Sequence, residues 1–188
     1  MRVTKKCHTW WLALFCALIS LAACTEVAAP PIRLAHNSWP GYEPLVLAQQ
    51  QGWFKGVEVI NFRVESATDA SSAFEHHHAD VVALTLDEAI TLQGRYAEPL
   101  MIIAVLDISN GADAIIAQGH IHSINDLKGK RVGVETTAVG AYFLTRVLES
   151  ASYLNHTQLE VVPLRFDQHH NAFVAAQVDA VVTFEPVK

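Results

Sequence analysis

The chain has 188 residues, 51% of them hydrophobic and 17% charged, with 13 Lys+Arg against 19 Asp+Glu for a formal charge of −6. That composition is globular and gives enough chain for one large domain or two small lobes. Its acidic balance argues against nucleic acid as a partner, because phosphate binding needs a basic face.

The N-terminus comes first. Arg2, Lys5 and Lys6 precede an apolar run over residues 10–21, too short for a span that needs about 20 residues and matching an export signal. Leu21-Ala22-Ala23-Cys24 resembles the lipobox of bacterial lipoproteins. On that reading residues 1–23 are a signal peptide, Cys24 carries lipid, and residues 24–31 tether the protein to the outside of a membrane through its acyl chains. The other reading is a plain signal cleaved nearby, with an incidental Cys. Cys7 and Cys16 leave with the signal, so the exported domain has no internal disulfide. The signal removes three of the 13 basic residues and no acid; 10 bases against 19 acids leave −9.

Residues 32–37 read as a strand, followed by the loop Ser38-Trp39-Pro40-Gly41-Tyr42. Pro44 suits a first helical turn and Gly52 its stop. Residues 57–64 alternate as a strand, a helix starts at Ser66 and runs to about His78, and residues 80–85 are a third strand. Thr85 and Glu88 form a capping box for a helix ending near Gly94. Residues 100–108 form a mostly apolar run, expected as a buried strand that crosses to a second lobe at Ser109-Asn110-Gly111.

Strand and helix patterns then repeat. Strands are expected over residues 112–117, 130–135, 159–164 and 178–184, a short turn opens at Ser123, and helices follow Thr136-Thr137 and Asp167. Alternation of this kind predicts α/β architecture with mostly parallel sheets. The organisation expected is lobe 1 over 32–108, lobe 2 over 109–184 and the start of a return crossover at 185–188.

Several of these segments together resemble one family. They are SWPGYEPLVLAQQQGWF, ADVVALTLDEAITL, VLDISNGADAIIA, INDLKGKRVGVE followed by VGAYFLTRVLE, and DAVVTFEP. In this order they are similar to extracytoplasmic solute-binding proteins of ABC importers, of the nitrate, sulfonate, taurine and pyrimidine-precursor type. The resemblance implies a two-lobed periplasmic-binding-protein type II fold with the second lobe inserted. It implies a small ligand held in a hinge-closing cleft, delivery to an ABC permease, a monomer, and no catalysis or cofactor. Family members continue past the Glu-Pro crossing, so the resemblance also implies a chain truncated at its C-terminus, with the first lobe exposing an apolar face.

In open α/β sheets ligands sit at strand carboxyl ends, and the candidate ligand-binding residues cluster there. Ser38, Trp39, Gly41 and Tyr42 offer ring faces, a hydroxyl and close backbone approach, or else the aromatics pack the loop onto the sheet. Thr136 and Thr137 precede a helix and suit an anion, or one of them is an N-cap. Ser109 and Asn110 offer hydrogen bonds at the crossover or simply bend it. Thr85 and Asp87 open a helix, and Glu185 lies on the second crossing. If Asp87 and Glu185 both face the cleft, the ligand carries an amine, amidine, pyrimidine or zwitterion group; a sulfonate remains the other class.

His76-His77-His78 point about 100° apart on a helix and cannot converge on one metal. His120 and His122 would share a strand face but lack a third ligand, so no metal site is expected. A metal-binding lipoprotein or the sensor domain of a longer protein remains the alternative function.

Overall fold

A computed structural model describes residues 29–151 and 154–187. The expected signal peptide, Cys24 and most of the tether lie outside the described residues.

The first sheet has three parallel strands in the order β2-β1-β3. These are β1 (Ile32–His36), β2 (Val59–Arg63) and β3 (Val81–Val82), with Ile32 opposite Val59 and Leu34 opposite Val81. After β1, a 3-10 turn (Pro40–Tyr42) runs directly into α1 (Glu43–Gln50), with Pro44 in its first turn. Proline is tolerated there because the first amides of a helix have no partner within it. Helix α2 (Ala67–Glu75) begins at Ser66, whose Oγ accepts from the Asp69 amide at 3.1 Å. Helix α3 (Leu86–Gln93) follows β3, and Glu88 Oε2 accepts from the Thr85 amide at 2.9 Å.

The second sheet has the order β4-β7-β5-β6. Its strands are β4 (Ala114–Ala117), β5 (Arg131–Val134), β6 (Glu160–Pro163) and β7 (Ala180–Thr183), with α4 (Val139–Ser150) and α5 (His169–Val174) between them. Only the β4–β7 pairing is antiparallel; β5 runs parallel to both neighbours.

Four local expectations are corrected. Residues 100–108 form no strand, and from Met101 on they are exposed, Met101 at 84% and Ile108 at 83%. An apolar run has the propensity for a strand, but a strand exists only where a neighbour receives its backbone bonds, and no ladder joins this segment to either sheet. The helix after Thr136-Thr137 is capped at neither threonine; its N-cap is Ala138. Residues 119–120 form a turn and 121–122 no strand, so His120 and His122 share no strand face. The helix expected from Asp167 to about Gln177 divides into a 3-10 turn (Phe166–Gln168) and the short α5.

The two sheets repeat one device. Arg33 in β1 gives its amide and guanidinium to Asp80, which precedes β3. Arg131 in β5 does the same with Asp179, which precedes β7. Both aspartates are held down at about 2, first by the arginine side-chain bonds and then by the amide bonds. The helix before each strand ends in the same way. His77 (φ 57°) and Ala176 (φ 52°) take the left-handed conformation, with amides bonded to Phe74 O and Phe173 O. The His triplet is therefore a helix-to-strand turn.

The two halves differ in core. The second sheet buries Leu127, Val132, Val134, Leu144, Leu148, Ala180 and Val182 in one cluster. The first buries small residues, among them Ala35, Ala67, Ala70 and Ala83, around Leu34 and Leu92. No helix among the described residues is long and apolar enough to cross a membrane.

Candidate functional site

A cleft of about 910 Å³ runs along β3, from Asp80 before the strand to Leu86 beyond it. One side is formed by Asn37, Trp39 and Tyr42 and by residues 80–86; residues 100–109 form another, and the second half contributes Asp113, Val139 and Phe184. Most of the lining is apolar. The charged residues on it are Asp80, Glu88, Asp107 and Asp113, with no Lys or Arg among the lining residues. Asp80 is neutralised by Arg33 at 2.8 Å.

The first loop is built from within. Asn37 Oδ1 accepts from the Trp39 amide at 3.0 Å. The buried His36 places Nδ1 2.7 Å from Asn37 O, and a carbonyl only accepts, so that nitrogen carries the proton. Gly41 leaves no room for a side chain: a Cβ there would lie 2.3 Å from Trp39 Nε1 and 2.5 Å from Asp107 Oδ2. The glycine thus admits the protein's own groups. Trp39 meets Phe184 edge-on at 5.6 Å, and Phe184 stacks on Phe166 at 4.2 Å. An aromatic column therefore ties the first strand-end loop to the end of β7. Tyr42 is buried at 6% exposure, and burial, followed by the charges of Glu88, Asp87 and Asp107, pushes its hydroxyl upward; it remains a neutral O–H.

A polar seam joins the halves beside this column. Glu135, at the end of β5, accepts through Oε1 from the Thr68 amide at 3.0 Å and from the Thr68 hydroxyl. Thr68 and Thr137 hydroxyls lie 2.6 Å apart. Glu88 Oε1 accepts from the Val139 amide at 3.0 Å. Burial raises the Glu88 carboxyl above its ordinary value, partly offset by the amides of Thr85 and Val139. Beneath the seam, His169 is buried with Nδ1 3.2 Å from Thr183 Oγ1, and burial holds its imidazole low.

Of the residues anticipated for ligand, Trp39, Tyr42, Thr85 and Ser109 line the cleft together. Thr85 Oγ1 donates to Asp87 Oδ1 at 2.8 Å, and Ser109 Oγ donates to Asp113 Oδ2 at 3.1 Å. Ser38, Gly41, Asp87, Asn110, Thr136, Thr137 and Glu185 are not among the lining residues, although Thr137 reaches the seam through Thr68. Sequence reasoning missed Glu88, Asp107, Asp113, Glu135 and Phe184 as cleft and seam residues. Only Glu88 carried a signal, as the acid of a capping box, and that role uses one of its two oxygens. Among the described residues no three His, Cys, Asp or Glu side chains converge as for a metal ion.

Two mostly parallel sheets with flanking helices make an α/β fold that periplasmic substrate-binding proteins share. Two solved structures share that fold. The alkanesulfonate-binding protein SsuA from Xanthomonas axonopodis pv. citri, solved with MOPS bound, matches with a TM-score of 0.72 at 23% identity, over 85% of this chain and 56% of that one. The nitrate-binding protein NrtA from Synechocystis PCC 6803 matches with a TM-score of 0.64 at 14% identity, over 86% and 48%. The NMT1/THI5-like family model matches residues 39–188, and the chain belongs to that family. A Haemophilus influenzae protein named for thiamine biosynthesis is 28% identical over 148 residues, 76% of this chain and 46% of the relative. The chain thus spans about half the length of the relatives it matches.

Proposed function

We propose that this chain is the solute-recognition part of an ABC importer. It binds a small polar molecule in the cleft, without changing it, and passes it to a permease. Residues 32–108 and 109–184 act as the two lobes, with 185–188 starting the return between them. The protein works as an exported monomer held to the membrane by lipid on Cys24. The cleft's construction carries the reading: an aromatic floor of Trp39 and Phe184, drawn from opposite halves, beside polar groups at strand ends. Family membership supports it, as do the fold's relatives, which are named for binding sulfonate and nitrate. The relative named for thiamine biosynthesis brings in pyrimidines as a further class.

A titration of the full chain with taurine, methanesulfonate, nitrate, an aminopyrimidine and simple amines tests this. Saturable binding of one class is expected, with the solute recovered unaltered. Trp39→Ala is expected to weaken that binding about tenfold, in the range a cation or ring stacked on Trp supplies. Conversion of the solute would overturn the reading, as would failure of every solute to bind.

A further inference from the structure

Two helices point their N-termini at the seam between the halves, and neither is left open. The amide of Thr68, in the first turn of α2, is taken by Glu135 from the other half. The amide of Val139, the first residue of α4, is taken by Glu88, again from the other half. Both carboxylates are 5% exposed. The first amides of a helix have no partner inside it and lie at the positive end of its dipole, so a buried carboxylate there makes charge-assisted bonds roughly twice as strong as neutral ones. Local capping accounts for neither contact. Helix α2 already has Ser66 as its cap, and Glu88 completes its own capping box with Oε2, leaving Oε1 for Val139. The α4 N-cap, Ala138, has no side-chain acceptor to offer. The missing acceptor comes across the seam.

We infer that Glu88 and Glu135 are a reciprocal latch, each half capping a helix of the other, which holds the two halves together at the seam in the absence of solute. A consequence, which rests on the solute-receptor reading, concerns ligand charge. The amides that would otherwise receive an oxyanion are already bonded to the chain's own carboxylates. A small oxyanion must displace them, whereas an N–H-bearing or cationic solute meets the carboxylates of Glu88, Asp107 and Asp113 along the lining.

Amide exchange read by NMR on the full chain tests the latch. Thr68 and Val139 are expected to be protected without any solute. Glu135→Gln keeps the side chain's size but loses its charge; it is expected to speed exchange at Thr68 about tenfold, and Glu88→Gln is expected to do the same at Val139. The amides of Val132 and Val181, inside the second sheet, should not change. Exchange of Thr68 and Val139 at free-loop rates in the wild type overturns the latch, as does an unchanged rate in the Gln variants. Tight binding of methanesulfonate by the wild type overturns the charge argument alone. If no solute binds while both amides stay protected, the receptor reading fails and the latch stands.

Discussion

Single residues carry the clearest energetic statements. Ala176 holds a left-handed φ of 52°, a conformation costing an L-residue about 1–2 kcal/mol. Ala176→Gly relieves that cost, and after the entropy glycine loses on folding a net gain of about 0.5–1 kcal/mol is expected. Thermal unfolding should then shift upward by about 1–4 °C. His77, at φ 57°, occupies the equivalent turn of the other half. Asp80 and Asp179, each held at about 2 by an arginine, make a pH prediction. Their folded values lie below the ordinary carboxylate range, so the stability they add is present above about pH 4. It is lost as pH falls towards 2. Denaturant midpoints measured across that interval should decline, and less steeply in Asp179→Asn, which has no carboxylate left to protonate.

Elements differ in how they are held. Helix α4 lays Leu144 and Leu148 into the main cluster against Val132, Val134 and Val182, all 2% exposed or less. Leu148→Ala should cost about 2–5 kcal/mol, measured by urea unfolding. Strand β5, central in its sheet, carries Gly133 because a Cβ there would meet Leu164 Cδ1 at 2.6 Å. Gly133→Ala is expected to destabilise through that contact, and Gly133→Ala with Leu164→Ala to recover part of the clash at the expense of packing. Most elements were legible from pattern alone: the Ser66 cap, the Thr85–Glu88 box and the strands around Arg33 and Arg131 fall where local chemistry puts them. Residues 100–108 depart from their expected strand because apolar periodicity reports what a segment prefers to bury, and no ladder partner lies beside this one.

At the scale of the molecule, that segment dominates the exposed apolar surface. Met101, Ile102, Ile103, Val105 and Ile108 are all exposed, an apolar run of the kind that marks interaction surfaces or association. The native chain should therefore enhance the fluorescence of an apolar dye, and Ile103→Asn with Val105→Asn should reduce that enhancement without lowering the thermal midpoint. The halves themselves meet through an aromatic column and a carboxylate seam rather than a shared core. Local rules reach the strand-helix alternation, the caps, the acidic balance and the first strand-end loop with Trp39 and Tyr42, because propensity, periodicity and turn chemistry act between residues close along the chain. The pairing of Glu135 with Thr68, of Glu88 with Val139 and of Trp39 with Phe184 spans 51 to 145 positions. No local preference encodes such contacts; they exist because two independently twisted sheets pack with their strand ends facing, and that packing alone assigns each carboxylate its partner.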